Sequence, residues 1–149
     1  MSVDIEVVRD VTDELVKAFG RLLPQLSRSA PALDAEALRA LATWPGNHLL
    51  VARLGGEIAH VGGEIAGTLT LVMFPIPTGV RAWIEDVVVD EAARGHGVGA
   101  ALTQAAVRIA RAGGARTVDL TSRPSRAVAN RLYERLGFEL RDSKVYRLG

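Results

Sequence analysis

Paired carboxylates, an arginine and closely spaced glycines meet in one stretch of this chain, running from Ile84-Glu85-Asp86-Val87-Val88-Val89 through Asp90-Glu91-Ala92-Ala93 to Arg94-Gly95-His96-Gly97-Val98-Gly99-Ala100. An apolar run, read as a buried strand, passes into a polar loop and then a helix with the apolar stripe Val98, Leu102, Ala105/Ala106 and Ile109. Glycines let backbone N–H groups approach a ligand without a side chain in the way. The start of a helix leaves about four N–H groups unpaired and carries roughly half a positive charge. A phosphate or pyrophosphate suits that end, and Arg94 adds a full charge beside it. A turn that only caps a helix needs one glycine; Gly95, Gly97 and Gly99 exceed that.

Glu85 and Asp86 are the candidate bases. Both stand inside the apolar run of Trp83, Ile84, Val87, Val88 and Val89, where an uncompensated carboxylate is costly. Strict alternation puts Glu85 with Trp83 and Val87 on one face, and Asp86 with Ile84 and Val88 on the other. Only one of the two then faces an acceptor directly, and burial would suit either to general-base work.

Two other phosphate-binding patterns fit less well. Gly95-x-Gly97-x-x-Ala100, with Asp119 further on, meets a relaxed dinucleotide fingerprint. That loop leaves its first strand directly, however, whereas Asp90 to Arg94 intervene here, and four expected strands precede the motif. A P-loop fails because no Gly-Lys-Ser/Thr follows.

The elements that must hold these residues can be read from periodicity. Val3 to Val8 alternates as a strand. Thr12 is a helix N-cap ahead of Leu15, Phe19, Leu22 and Leu23, with Pro24 expected to end the helix. Asp34 caps a second helix that carries Leu38 and Leu41 and ends near Trp44-Pro45-Gly46. Strands follow at His48 to Leu54, then up to Phe74, then Val80 to Val89, rich in β-branched residues. Val98 to Ala112 reads as helix, Thr117 to Thr121 as a short strand, Ser125 to Leu136 as helix, and Phe138 to Leu148 as a terminal strand or hairpin arm. The order implies one mixed α/β domain over residues 1–149: an antiparallel meander, then a strand–helix–strand crossover. Gly55-Gly56-Glu57-Ile58-Ala59 recurs as Gly62-Gly63-Glu64-Ile65-Ala66. We expect the turn between two strands to absorb this repeat; the alternative is a lengthened hairpin over a cleft.

Composition narrows the function classes. The 149 residues are 48% hydrophobic and 23% charged, with a net charge of +1. Such a chain is long enough for a real core and too apolar for intrinsic disorder. Its balanced charge argues against a nucleic-acid partner. Cysteine is absent, so thiolate chemistry is excluded, and His48, His60 and His96 show no ligand pairing, so no metal is expected. No run approaches 18 apolar residues and the N-terminus lacks a secretory pattern, so no membrane partner and a cytoplasmic location are expected.

Arg94-Gly95-His96-Gly97-Val98-Gly99 matches the pattern Gln/Arg-x-x-Gly-x-Gly/Ala, and Asn130-Arg131-Leu132-Tyr133-Glu134-Arg135-Leu136-Gly137-Phe138 carries a helical Leu-Tyr-Glu closed by Gly-Phe. In both motifs the chain resembles the GNAT N-acetyltransferase superfamily, strongly from Ala82 to Phe138 and by pattern alone before that. The resemblance implies an α+β fold with a mixed central sheet of about six to seven strands and helices on both faces. It implies acetyl-CoA as co-substrate, with no metal, and a primary amine of a small molecule or peptide as acceptor. The backbone of Val87, Val88 and Val89 would pair with the pantetheine arm. Arg94 and the amides of Gly95, His96, Gly97, Val98, Gly99 and Ala100 would hold the pyrophosphate, with His96 a phosphate neighbour rather than a catalyst. Asn130 would face the pantetheine or a phosphate, although relatives carry an asparagine nearer the helix start, where this chain has Ser125 and Arg126. Tyr133 would be the general acid near the sulfur, and Glu85, ahead of Asp86, the base. The resemblance also allows a homodimer. A non-catalytic acyl-CoA-binding module would need the same loop but neither base nor phenol.

The implied reaction sets clear demands. An alkylammonium with pKa about 10.4 is nucleophilic in only about one molecule in 2,500 at pH 7, a deficit of roughly 4.6 kcal/mol. A base or a desolvating pocket must offset it. The leaving thiol, pKa about 8.5, can take a proton from a phenol.

Overall fold

The computed structural model describes residues 2–55 and 63–149. Its strands are β1 (Val3–Val7), β2 (Asn47–Leu54), β3 (Glu64–Ile76), β4 (Gly79–Val89) and β5 (Val118–Leu120). They form one sheet in that order, antiparallel from β1 to β4 and parallel between β4 and β5. The helices are α1 (Asp13–Leu26), α2 (Ala35–Thr43), α3 (Val98–Ala112) and α4 (Ala127–Arg135). This is the mixed α/β architecture that the element order implies.

Local chemistry sets the helix starts. The Thr12 hydroxyl accepts from the Leu15 amide at 3.2 Å, and the Asp34 carboxylate accepts from the Ala37 amide at 2.8 Å. Pro24 does not stop α1, which runs on to Leu26. A proline this close to the end removes one backbone bond and leaves the last turn otherwise intact.

The two faces of the sheet carry separate cores. On one, Leu50, Ala52, Leu69, Leu71, Ala82 and Ile84 pack under α3. Ala105, Ala106 and Ala110 of α3 are small, so the helix lies close to the strands. On the other, Leu49, Val51, Ile65 and Val88 meet Leu15, Phe19 and Leu22 of α1 and Leu38 of α2. Each fully buried leucine contributes about 1.5–3 kcal/mol.

Strict alternation fails in β4. Thr70 faces Glu85 but Thr68 faces Val88, so Asp86 and Val87 together oppose Leu69. Asp86 takes a left-handed conformation, φ +49°. This β-bulge reverses the phase of the strand. Ala82 and Ile84 point to the α3 side before it; Val87 and Val89 do so after it, while Val88 turns to α1.

Two expectations are corrected. The sheet has five strands among the described residues, not six to seven. The expected terminal strand from Phe138 to Leu148 is unpaired: Phe138 packs on the core, and residues 139–149 run exposed and outside any strand. The repeated glycine-rich segment falls largely on residues 56–62, outside the described residues; Glu64, Ile65 and Ala66 of its second copy open β3.

Candidate functional site

β4 and β5 pair only at Ala82–Val118, Trp83–Asp119 and Ile84–Leu120. From Glu85 onward β4 continues for five residues while β5 has ended, so the two strands leave a gap. The Val88 carbonyl lies toward Gly67 of β3, and the Asp90 amide donates to the Ala66 carbonyl at 2.8 Å. Backbone direction alternates along a strand, so the N–H and C=O of Val87 and Val89 face the gap. They can receive an extended amide-bearing chain as a further strand would.

The gap leads to the start of α3. Asp90 follows β4 and accepts from the Ala92 amide, capping the 3-10 turn Glu91–Ala93. The chain then passes Gly95 at φ +84° and Gly97 at φ +78°, both open to space where a side chain would sit. Gly97 is the N-cap and provides no side-chain acceptor. The amides of Gly97, Val98, Gly99 and Ala100 meet no acceptor among the described residues. Four unpaired N–H groups at a positive helix end, with the exposed Arg94 and His96 beside them, fit a diphosphate.

Gly99 has a different reason to be glycine. A β-carbon there would come within 3.2 Å of a Leu132 methyl and 3.7 Å of Val89. The small residue lets α4, the helix that carries Tyr133, close against α3.

The Gly-Phe that closes α4 also has a structural cause. Gly137 is left-handed at φ +98°. Its amide donates to the Glu134 carbonyl at 3.1 Å, and the Phe138 amide donates to the Tyr133 carbonyl at 3.0 Å. This is a Schellman cap, whose usual apolar contact is here the edge-on pair of Tyr133 and Phe138. Tyr133 is half-buried, and burial pushes its phenol above the ordinary tyrosine value, partly opposed by the positive charge of Arg126. The phenol is therefore protonated at neutral pH and able to donate. Asn130 is turned to local use: its side-chain amide donates to the Arg123 carbonyl at 3.1 Å and ties α4 to the loop before it.

Glu85 and Asp86 are both exposed, contrary to the expectation of burial within the strand. For Asp86 the bulge is the reason. Glu85 keeps the face of Trp83, toward α1 and α2, while Asp86 sits in the kink. The pair thus stands where β4 and β5 part.

Periodicity did not reveal the clamp behind the glycine loop. Arg21 of α1 donates through Nε to Asp90 at 2.9 Å and through Nη2 to the Ile65 carbonyl at 2.6 Å. Gln25, one turn on, accepts from the Glu91 amide at 3.0 Å. Burial acts to raise the Asp90 carboxyl, but hydrogen bonds from Ala92, Arg21 and Gln25 outweigh it and hold the group below its usual value. Polar residues at i and i+4 of α1 were the available signal, but their partner lies far away in sequence.

No described helix is long and apolar enough to cross a membrane. A comparison with curated proteins finds no match. Among solved structures, the chain is similar to a transcriptional regulator from Bacillus halodurans C-125, at 28% identity and TM-score 0.79 over 99% of both chains. It is similar to an acetyltransferase of Trypanosoma brucei at 28% identity and TM-score 0.74, again over 99% of both chains. At 17% identity, TM-score 0.76 and coverage of 100% of this chain and 99% of the other, it shares the fold of AAC(6')-Iy, solved with a CoA-containing bisubstrate analogue. The sequence model of the acetyltransferase (GNAT) family matches residues 11–138, which takes in the strand gap, the glycine loop and the capped α4 together, and the chain belongs to that family.

Proposed function

We propose that the protein is an acetyl-CoA-dependent N-acetyltransferase that acts on a primary amine by direct attack with both substrates bound. The observation that carries this reading is the continuity of the gap beside Val87 and Val89 with the four unpaired amides from Gly97 to Ala100. An extended pantetheine arm fits the first and a diphosphate the second. The relatives solved as acetyltransferases, one of them with a CoA conjugate, support it.

Bound acetyl-CoA supplies the acetyl group as a thioester, whose C–S bond breaks as the C–N bond to the amine forms. Val87 and Val89 orient the arm, and the start of α3 with Arg94 neutralises the diphosphate. Glu85, on the face toward α1 and α2, takes the proton that makes the amine nucleophilic, directly or through a water; Asp86 is the second carboxylate within reach of that task. Tyr133 gives its phenolic proton to the departing thiolate and recovers one from solvent. General acid and base steps of this kind each contribute about 100- to 10,000-fold.

The test is thiol release from acetyl-CoA over a panel of amines, run beside calorimetry with coenzyme A. Turnover with at least one amine and measurable affinity are expected. Affinity without turnover on any amine would leave a binding module, and no affinity would remove the reading altogether.

A further inference from the structure

Arg81, Trp83 and Glu85 alternate along β4 and share the face turned away from α3, because Ala82 and Ile84 between them are buried on the α3 side. The register places Val72 of β3 opposite Trp83, and Phe74 opposite Arg81. On the other side Asp119 of β5 lies opposite Trp83 and accepts from Arg81 Nη2 at 3.2 Å, as a shared face requires. α1 and α2 cover this side of the sheet over Leu49, Val51, Ile65 and Val88. Val72, Phe74 and Trp83 belong to neither core: Val72 and Trp83 are half-buried, and Phe74 is exposed.

Neighbouring apolar side chains left out of both cores form a shelf, and a patch of this kind marks a binding surface. Its two ends carry opposite charges. Glu85 stands at one, where β4 and β5 part, and Arg81 at the other, four residues back along the strand or about 13 Å. A guanidinium has five donors in a fixed fork. Asp119 engages it through Nη2, while the buried Nε meets no acceptor among the described residues. The pair with Asp119 thus orients the fork and leaves donors for a second carboxylate.

We propose that this shelf selects the acceptor, a primary amine on an apolar, ring-bearing body whose far end carries a carboxylate. The ammonium sits by Glu85, the ring lies over Trp83 and Val72 beside Phe74, and the carboxylate meets Arg81. A second ammonium at the far end would meet like charge there, and a polyhydroxylated body would leave hydroxyls unpaired over the shelf. Arg81 and Trp83 set specificity and take no part in moving the proton. The inference rests on the acetyl-transfer reading, in which Glu85 receives the proton of the amine.

The experiment measures thiol release from acetyl-CoA with phenethylamine, its para-carboxyl derivative and hexamethylenediamine, for the parent, Arg81→Gln and Trp83→Leu. Melting curves and coenzyme A calorimetry check that the variants are folded. The parent should prefer the carboxyl derivative to phenethylamine by about tenfold in kcat/KM, and Arg81→Gln should bring that ratio towards one. Trp83→Leu should lower kcat/KM for both ring amines about tenfold relative to the diamine. A second readout needs no turnover. Trp44→Phe leaves Trp83 as the sole tryptophan, and its fluorescence should change saturably as the carboxyl derivative is added with coenzyme A present. Equal efficiency with all three amines, or a preference that survives Arg81→Gln, would overturn the shelf's role and leave the acetyl-transfer reading standing. Saturable fluorescence without turnover on any amine would support the shelf and tell against that reading. Neither turnover nor a saturable change would overturn the shelf.

Discussion

The ring of Phe138 meets that of Tyr133 edge-on, with centroids 5.9 Å apart and planes at 63°. The contact is the apolar part of the cap that ends α4, so the turn that stops the helix also holds the phenol in place. Phe138→Leu removes the aromatic partner, about 0.5–1.5 kcal/mol of contact, and leaves the Tyr133 ring free to turn. Turnover should fall several-fold with little change in coenzyme A affinity. Parallel steady-state kinetics and calorimetry check this; a loss confined to affinity would separate Phe138 from the phenol's placement.

Tyr133→Phe keeps the ring and deletes the proton. Turnover should drop by about 100-fold or more. Burial holds the folded pKa above the ordinary 10.0, so the parent enzyme should keep its acid until pH rises beyond that value. The same shift favours the folded state below pH 10, and that contribution is lost as pH rises through the folded pKa. A pH–rate profile should show an alkaline limb in the parent and none in the variant.

Much of this was legible in the sequence because it is local. Thr12 and Asp34 cap helices through bonds three residues away, and the spacing of Gly95, Gly97 and Gly99 marks the loop before α3. What was not legible depends on distant partners. The bulge at Asp86 exists only relative to Leu69 of β3, so alternation along β4 kept Glu85 on the face of Trp83 but misplaced Asp86 and the valines after it. The need for glycine at 99 comes from Leu132, more than thirty residues on. Residues 139–149 alternate as a strand would, but a strand also needs an edge to pair with, and in the structure they lie exposed outside any strand.

Gly97 and Gly99 should therefore fail in different ways. Gly97→Val forces a branched residue to φ +78° with open space around it. The strain costs about 1–2 kcal/mol, and the side chain stands where the diphosphate would lie, so affinity for coenzyme A should fall more than stability. Gly99→Val crowds Leu132 and Val89 at once, costing about 1–3 kcal/mol and pushing α4 from α3. Its melting temperature should drop first, and Leu132→Ala should restore part of it. Equal losses of stability in both would contradict the division.

Glu85→Gln should reduce kcat/KM about 100-fold or more without altering the melt, since the side chain is exposed. Asp86 carries a conformational duty as well. Asn tolerates the left-handed region and valine does not, so Asp86→Asn should fold as the parent does. Asp86→Val should lose about 1–2 kcal/mol and disturb the bulge that sets the direction of Val87. A larger kinetic loss from Asp86→Asn than from Glu85→Gln would transfer the base role to Asp86.

The clamp on Asp90 should be visible in acid. Its carboxyl is held below its ordinary value of 3.8, so the stabilisation is full above that pH and disappears as pH falls through the lower folded value. Arg21 is 45% exposed and Asp90 18%, so solvent screens the pair, and about 1 kcal/mol or less is expected. Urea melts of the parent and of Asp90→Asn should differ by that amount at neutral pH and converge below pH 3.8. Because Asp90 also accepts from Ala92 at the entry to the glycine loop, the variant should bind coenzyme A more weakly at neutral pH. Arg21→Ala, which leaves the Ala92 bond in place, should cost stability and spare most of that affinity. If both variants lose affinity alike, the anchor is α1 as a whole rather than the carboxylate's hold on the loop.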